Sequence, residues 1–559
     1  MNELNRAATS MSLTVEQLLP DDVLLEVMQY LSVEDVFACR LVCKRLEALA
    51  RDPTVWCHRR IDMHRPRAVL RLAPCLGAIV CKAHHESGFQ GDPDPAFEAT
   101  KCAVTSLNFE LTAEYVDMLR SDEDFRSRLT YFARVVRNQV TLGRLKHVTV
   151  QIRQLCGGYF LWLTFSSPRG AADALLDALA QSSCLQSLRF LGWVPSATRP
   201  LQRVSSKSSL LLFECWLSKK SESFVKAMLT AHADTLEEVS LFDRGREMGS
   251  WGSNDVVASP EITELLARMP RLQRLKYDRL SPIDALAACK TLKDVTLSKT
   301  SSGYNAADPP LSKTLKFLSE ANQLRSLTIH PCYDDNCEEL MEAALVSSAL
   351  SLERLFISGD QSCGATSDSY AHMKKVQQLL IRTLPRLPAL RQLTWNPERL
   401  FQCDELLLAI TPLSAPALRR LELISTIDND RRGSECDHRW LHSAAVRATL
   451  AAIPCCTSIC GTHRLVLIIA IRVQRSAISR RDGISPAGLS SSRMSLASVP
   501  HQRTTLQEAA SGGASTCLEN DCSSLLPLVA KCFYIASICT VPYVMHGPLS
   551  KICQVNNFA

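Results

Sequence analysis

One pattern of apolar positions returns along the central part of the chain. A segment with helical apolar spacing precedes a short segment of the form Leu-x-x-Leu-x-apolar, in which apolar and polar residues alternate as in a half-buried strand. Weaker copies of this strand begin at Val104 and Leu145. Eight clear copies begin at Leu185, Leu236, Leu272, Leu292, Leu324, Leu352, Leu390 and Leu418. The pattern predicts units of one helix and one strand.

The segments before the clear strands supply the predicted helices. They span 171–180, 223–232, 260–269, 281–289, 310–318, 338–346, 373–384 and 404–410. A single unit of this size cannot bury its apolar face alone, so the units must stack, with each strand adding in parallel to the one before it. A mixed helical bundle with incidental leucine spacing is the alternative. Eight recurrences in the same helix-then-strand order argue against it.

The units resemble leucine-rich repeats of the long, helix-bearing type. Their spacing of 20 to 51 residues is less regular than in standard repeats, and the usual Asn or Cys after the strand is mostly missing. The resemblance implies an α/β fold, an irregular horseshoe over residues 103–453. Its parallel strands would line the concave face and its helices the convex face.

The polar positions of the predicted strands would face the concave surface. Arg274, Lys276 and Arg354 are candidates for binding an acidic or phosphorylated segment, because arginine recognises such groups with two parallel hydrogen bonds. Phe356 is a candidate contact of the exposed, anchoring kind. A slip of one residue in strand register would bury Phe356 instead. A merely solvated concave face is the alternative to a binding surface.

Residues 12–60 carry a denser helical pattern. Val23, Leu24, Val27 and Leu31 recur at helical spacing, and Ser32 before two acidic residues is typical of a helix N-cap. Three short helices in about forty residues cannot bury all of these apolar side chains against one another. The surplus therefore packs on the rest of the chain or binds a partner.

The order of motifs in this segment resembles an F-box. It runs Leu19-Pro20, a Val/Leu helix, Tyr30-Leu31-Ser32, Glu34-Asp35-Val36, Val42-Cys43-Lys44-Arg45-Leu46, and Asp52-Pro53 before Trp56. The resemblance implies that the segment binds the Skp-type adaptor of a cullin-RING ubiquitin ligase. The family often has an aromatic residue where Leu46 stands. An ordinary three-helix cap on the following array is the alternative.

The resemblance also implies which residues form the adaptor interface or its immediate support. They are Leu19, Pro20, Val23, Leu24, Val27, Leu31, Val36, Val42, Cys43, Leu46 and Trp56. The implied function is that of a non-catalytic substrate-recognition subunit of an SCF-type ubiquitin ligase, located in the cytoplasm or nucleus. It would bind the adaptor, through it a cullin, and an unknown protein substrate destined for degradation. A repeat scaffold outside any ligase is the alternative.

Composition is consistent with an ordinary globular intracellular protein. The chain has 559 residues, 46% of them apolar, and its net charge of +6 is small for a nucleic-acid coat or a polybasic membrane binder. We therefore predict neither nucleic acid nor membrane as a partner. The 23 cysteines are scattered without a disulfide spacing and are expected to be reduced.

Candidate chemistry is sparse. No Gly-rich phosphate loop, nucleophile elbow, H-E-x-x-H helix or C-x-x-C pair occurs in the sequence. Two Cys/His groupings have spacings that fit no standard zinc module, so buried thiols are favoured over metal. They comprise Cys75, Cys81, His84, His85 and Cys102, and then Cys436, His438, His442, Cys455, Cys456, Cys460 and His463. We predict no catalytic residue, metal or cofactor.

The composition changes near Pro454. The following residues are rich in Ser and Cys, and after a predicted repeat helix over 437–453 no further Leu-x-x-Leu strand follows. The predicted organisation is a flexible N-terminus (1–11), an F-box (12–60), a linker or start of the array (61–102), the repeats (103–453) and a divergent, poorly ordered tail (454–559). The strand at 418–423 would then be an unpaired edge unless the tail covers it. The apolar segment 525–545 is interrupted by Pro527, Lys531 and Pro542, so no membrane span is predicted.

Overall fold

The structure is a computed structural model that describes most of the chain up to residue 470. The described residues are 19–62, 66–83, 95–114, 122–155, 171–192, 194, 209–219, 221–243, 259–277, 283–298, 311–330, 337–347, 350–358, 367–396, 404–411, 413–426, 444, 456–460 and 464–470. Residues before Cys39 belong to one compact unit, and Cys39–Val473 form a second.

The first unit contains helix α1 (Asp21–Tyr30) and most of helix α2 (Val33–Cys39). Helix α1 begins directly after Pro20, and its two acidic residues in the first turn face the positive end of the helix dipole. The predicted N-cap of α2 is confirmed, because Ser32 Oγ accepts a hydrogen bond of 3.0 Å from the Asp35 N–H.

The second unit begins with two very short helices, α3 (Lys44–Leu49) and α4 (Pro53–Trp56). The Thr54 N–H donates to Asp52 Oδ1 at 2.8 Å, so Asp52 caps α4 while Pro53 occupies the first helical turn. Three helices were predicted in the N-terminal segment, and α4 adds a fourth of a single turn.

A sheet of fifteen strands runs through the described part of the second unit. Strands β1 to β13 pair in parallel in the order of the chain, and β13 is followed in space by β15 and then β14. The strands are β1 (Arg60–Asp62), β2 (Cys75–Ala83), β3 (Ala103–Glu114), β4 (His147–Leu155), β5 (Ser187–Gly192), β6 (Leu212–Leu217), β7 (Glu238–Asp243), β8 (Arg274–Tyr277), β9 (Asp294–Ser298), β10 (Ser326–His330), β11 (Arg354–Ser358), β12 (Gln392–Asn396), β13 (Arg420–Thr426), β14 (Cys456–Cys460) and β15 (Arg464–Ala470). The predicted α/β class with a parallel sheet is confirmed, while the horseshoe stays a prediction.

Helices alternate with these strands. They are α5 (Pro66–Leu72), α6 (Ala96–Ala99), α7 (Asp122–Thr141), α8 (Ala171–Ala180), α9 (Glu222–Ala231), α10 (Pro260–Ala267), α11 (Leu311–Glu320), α12 (Cys337–Ser347), α13 (Ser367–Thr383) and α14 (Asp404–Ala409). Seven of the eight predicted helices begin and end within six residues of their predicted bounds, and α8 matches its bounds at both ends. The eighth, over 281–289, is instead a 3₁₀ turn at Asp284–Ala288.

The helices pack on one face of the sheet. The ring centres of Phe132 on α7 and Phe109 on β3 are 4.1 Å apart. The ring centre of Phe224 on α9 lies 5.5 Å from that of Phe190 on β5 and 6.2 Å from that of Phe213 on β6. The alternate strand positions point the other way, and we call that side the polar face. Phe356 lies on the polar face and is partly exposed, with Thr328 on β10 and Thr394 on β12 as its register partners. The predicted register therefore holds there.

The leading leucine of each predicted motif lies in the core just before its strand. Leu185, Leu236, Leu324 and the other five are at most 2% exposed. Side-chain hydroxyls tie some of these turns together: Ser209 Oγ donates to the Leu185 carbonyl at 2.9 Å, and Thr235 Oγ1 donates to the Leu210 carbonyl at 2.8 Å. Each such bond satisfies a carbonyl that precedes the sheet ladder.

Three of the parallel strands escaped the sequence analysis. Strand β1 is very short, and β2 lies in the segment predicted as a linker or the start of the array. Strand β6 divides the 51-residue interval between Leu185 and Leu236. Its buried positions Leu210, Phe213 and Cys215 keep the spacing of Leu-x-x-Leu-x-apolar with other residue types.

The sheet continues past the composition break at Pro454. Strand β15 pairs antiparallel with β13, and β14 pairs antiparallel with β15. The edge of the last parallel strand is therefore paired with an antiparallel strand rather than with another repeat, and β14 becomes the outer strand of the sheet. Apart from residue 444, the helix predicted over 437–453 lies outside the described residues, and so does the chain after 470.

Candidate functional site

Helix α1 carries apolar residues on its exposed side. Tyr30 is 77% exposed and Val23 is 36% exposed, while Leu24 and Val27 are partly exposed. Met28 is the residue of this helix that is buried. Of the residues implied to contact the adaptor, Leu19 and Leu31 at the ends of α1 are partly exposed and Pro20 is exposed. Exposed apolar side chains on a short helix are typical of a surface that a partner covers.

Helix α2 contributes a core residue instead. Val36 is fully buried, so its side chain supports the helix and is not available to a partner. Its N–H donates to the Ser32 carbonyl at 3.0 Å, which places it in the first turn behind the Ser32 cap. The sequence analysis did not separate such supporting positions from contact positions.

The turn before α3 presents a second apolar surface, in the second unit. Leu41 is 84% exposed and Val42 is 46% exposed. Cys43 caps α3 through a hydrogen bond of 3.5 Å from the Leu46 N–H to its sulfur. Leu46 is partly exposed. Leu41 was absent from the predicted interface, although it lies next to Val42 in the motif.

Trp56 has a structural position. Its side chain is fully buried, and its indole N–H donates to the Ala50 carbonyl at 2.6 Å. The Arg59 guanidinium lies 5.4 Å from the centre of the indole ring, and Arg59 Nε donates to the Val55 carbonyl at 2.7 Å. Trp56 therefore joins α3 and α4 rather than offering a contact.

On the polar face of the sheet, two of the predicted basic residues have carboxylate partners. Arg274 donates from Nε and Nη2 to Glu238 Oε2, each at 2.7 Å. Arg354 donates from Nη2 to both carboxylate oxygens of Asp294 at 3.0 and 3.1 Å. An acidic ligand would have to compete with these carboxylates for either arginine.

Lys276 differs from the two arginines. It is exposed on the polar face between Ser240 and Thr296, and it makes no ion pair within the described part of the chain. The charge of Lys276 acts electrostatically on Glu214. Burial raises the pKa of the Glu214 carboxyl, and the positive charges of Arg189 and, to a smaller degree, Lys276 lower it. Of the three predicted basic residues, Lys276 is the one whose charge is not already matched at contact distance.

Phe356 and His330 form a ring contact on the polar face. Their ring centres are 5.8 Å apart, and the strands that carry them are neighbours. The structure thus brings Phe356 beside Arg354 on the same strand and face, two residues apart. Lys276 and Arg274 lie three strands away on β8.

Comparison with known families identifies the N-terminal segment. Residues 17–62 match the family model described as F-box-like. The chain carries an F-box-like domain. The prediction of an F-box over 12–60 is confirmed in this form, with residues 12–18 outside the described ranges. Among curated proteins, no relative matches the chain.

The F-box-like domain ends at β1, so it leads directly into the sheet. Strand β1 pairs with β2 through Arg60, Ile61 and Asp62. Beside it, Gly77 approaches the backbone so closely that a Cβ there would lie 2.8 Å from the Cys57 carbonyl oxygen. The segment after the domain is thus part of the array, not a separate linker, where it is described.

The cysteines of the first predicted Cys/His grouping lie in the core. Cys81 occupies the same position on β2 as Phe109 on β3, and burial raises the pKa of its thiol. Burial also raises the pKa of Cys102 to about 12, and that of Cys75. Such thiols are inert under ordinary conditions. His84 and His85 lie outside the described residues.

No group of three or more His, Cys, Asp or Glu side chains in the described ranges is arranged to hold a metal ion. Most of the second Cys/His grouping falls outside those ranges. Among the helices that the structure describes, none combines the length and the hydropathy that crossing a membrane requires. The apolar segment 525–545 also lies outside the described residues.

Proposed function

We propose that this chain is the substrate-recognition subunit of an SCF-type ubiquitin ligase, acting in the cytoplasm or nucleus. The match of residues 17–62 to the F-box-like family carries the proposal. The F-box-like domain binds a Skp-type adaptor and through it a cullin. The repeat array, which we assign to the leucine-rich repeats, binds a protein destined for degradation.

The exposure pattern of the F-box-like domain supports adaptor binding. Tyr30 and Leu41 are among the most exposed large apolar residues of the described chain, and Val42 adds to them. Removing such side chains from water stabilises a complex by about 25 cal/mol for each Å² buried.

The array supports the receptor role through its geometry. Thirteen strands in parallel register present rows of side chains on the polar face, so that a partner segment can contact several units at once. The rows combine arginine, lysine, carboxylate and aromatic residues rather than one repeated type. Such a surface can be specific, because both shape and charge have to match.

The chemistry that follows from this role is proximity. In our proposal the chain contributes no catalytic residue. It holds substrate lysines near the ubiquitin thioester of a conjugating enzyme, which raises their effective concentration. The cullin and the adaptor set the distance, and the array determines which protein is held.

The test is co-purification of the full chain with the Skp-type adaptor and a cullin. The informative variant is Leu41→Glu, since Leu41 is 84% exposed and the substitution should leave folding intact. Leu350→Glu is the matched control, because Leu350 is 83% exposed but lies before β11. We expect the wild-type chain and Leu350→Glu to retain both partners, and Leu41→Glu to lose them.

Two results would contradict the proposal. If the wild-type chain retains neither adaptor nor cullin, it is not a ligase subunit, and a repeat scaffold remains. If the adaptor is retained without cullin-dependent ubiquitination of any bound protein, the receptor role fails while adaptor binding stands.

A further inference from the structure

Besides Phe356, two neighbouring aromatic residues lie on the polar face of the sheet. Trp216 on β6 and Phe242 on β7 are register partners, and both are partly exposed. Neighbouring strands lie about 4.8 Å apart, so these two side chains start side by side on the same face. Leu191, two residues beyond Arg189 on β5, is also partly exposed on that face. The three side chains together make an apolar area on the polar face.

Ion pairs border this apolar area. Arg189 Nε lies 3.6 Å from Oε2 of Glu214, and Glu214 is two residues before Trp216 on β6. Arg274 donates a hydrogen bond to Glu238, which is four residues before Phe242 on β7. Each pair cancels its own charge. A partner that covers the aromatic residues therefore does not have to leave an unmatched carboxylate behind, which would be costly.

Lys276 supplies the charge that remains. It is the register partner of Ser240, and it is thus the diagonal neighbour of Phe242 on the adjacent strand. Three cationic side chains and two carboxylates surround the aromatic pair, so the local charge is positive by one: Arg189, Arg274 and Lys276 against Glu214 and Glu238. The area combines an apolar anchor with one unmatched cation.

We propose that Trp216 and Phe242 anchor a peptide segment of the bound protein, and that Lys276 selects a carboxylate in it. The segment has an aliphatic or aromatic residue within a few positions of an aspartate or glutamate. The inference deepens the proposed function, on which it rests for taking the occupant to be a protein substrate.

Charge complementarity favours an acidic peptide over a nucleic acid. Binding to a nucleic acid rests on several lysines or arginines that neutralise successive phosphates. Here Glu214 and Glu238 lie among the cations and would repel a chain of phosphates. One unmatched lysine fits one or two carboxylates, and the aromatic pair fits a side chain that is buried on binding.

The test is selection of short random peptides displayed on phage against the purified full chain. Selected peptides are then synthesised with a fluorescent label, and their affinity is measured by anisotropy. We expect them to share an apolar residue close to Asp or Glu. Trp216→Ala should weaken their binding about tenfold or more, as is usual for a central aromatic anchor.

A charge reversal tests the selecting residue. Lys276→Glu should weaken the acidic peptides and should favour versions in which Lys replaces the Asp or Glu. Lys293→Glu is the matched control, because Lys293 is exposed in the turn before β9 and lies away from the aromatic pair. It should leave the affinity unchanged. Both lysine substitutions are at exposed positions, and Trp216→Gln serves if Trp216→Ala does not fold.

The inference is overturned if the wild-type chain selects no peptide, if the selected peptides lack a carboxylate, or if folded Trp216 variants bind them as well as the wild-type chain does. Adaptor co-purification of the same variants separates this result from the proposed function. Peptide binding that depends on Trp216 in a chain that retains no adaptor would overturn the ligase role and leave this site in place.

Discussion

Arg354 reaches across a whole strand to bind Asp294. The two residues lie on β11 and β9, and Ser326 on the intervening β10 is the register partner of both. The two strands are separated by about two strand spacings of 4.8 Å. The arginine side chain can cover this distance because it is long and because the serine between the two residues is small. The pair holds Arg354 flat over the polar face, with both carboxylate oxygens engaged.

This pair should contribute little to stability. Both side chains are partly exposed, and exposed ion pairs contribute about 0.2–1 kcal/mol. We therefore expect Asp294→Ala and Arg354→Ala to be coupled by less than about 1 kcal/mol in a double-mutant cycle measured by urea unfolding. A coupling of several kcal/mol would mean that the pair is desolvated in solution.

Trp56 should matter to folding rather than to recognition. Trp56→Phe keeps most of the buried ring but leaves the Ala50 carbonyl without its indole donor, which should lower the free energy of unfolding by about 1–3 kcal/mol. Trp56→Ala should lower it by about 3–5 kcal/mol. Urea unfolding measures both. Leu41→Ala, at an exposed position, is the control and should change stability by less than about 0.5 kcal/mol.

Gly192 should be irreplaceable at the end of β5. Its φ is +97°, and a Cβ there would lie 2.2 Å from the Ile152 carbonyl oxygen on β4. Gly192→Ala should therefore lower the free energy of unfolding by at least about 2 kcal/mol. Gly143 has a φ of +75° with open space around it, so Gly143→Ala should cost only about 1 kcal/mol. Equal losses in thermal unfolding would show that backbone conformation, and not the close contact, decides the cost.

The sequence was informative where the repeat pattern used leucine. All eight leading leucines are buried, and the strands follow two residues behind them, because this spacing satisfies the parallel ladder and the core together. The pattern failed where Phe or Cys replaced leucine, as at Phe213 and Cys215 in β6. It failed likewise at Ile79 and Cys81 in β2. A search for the same spacing that accepted any apolar residue type would have found both strands.

For the candidate sites, the sequence could predict the face of the sheet on which a residue lies, but not the partners that it contacts there. Alternation placed Arg274, Arg354 and Phe356 on the polar face correctly, since side chains of a strand point to opposite sides in turn. Alternation could not show that both arginines meet carboxylates, because Glu238 and Asp294 come from other units, 36 and 60 residues away. In the F-box-like domain, helical spacing likewise could not separate the buried Val36 from the exposed Leu41.

His232 should make the array sensitive to acid. It follows α9, where its N–H donates to the Met228 carbonyl, and burial lowers the pKa of its imidazole to about 4. The unfolded chain has a histidine pKa near 6.5 and therefore takes up this proton more readily. Above about pH 6.5 His232 is neutral in both states and does not lower the free energy of unfolding. As the pH falls from 6.5 toward 4, the unfolded chain takes up the proton first, and the free energy of unfolding falls by on the order of 3 kcal/mol.

The measurement is urea unfolding of the wild-type chain and of His232→Gln at several pH values between 7.5 and 4.5. Glutamine keeps a polar side chain of similar size but cannot titrate, so its stability should fall less steeply over this range. The lowered pKa of His147 acts in the same direction, and it remains in both proteins as a common background. If the two stability curves run parallel from pH 7.5 to 4.5, His232 is protonated as readily in the folded chain as in the unfolded one.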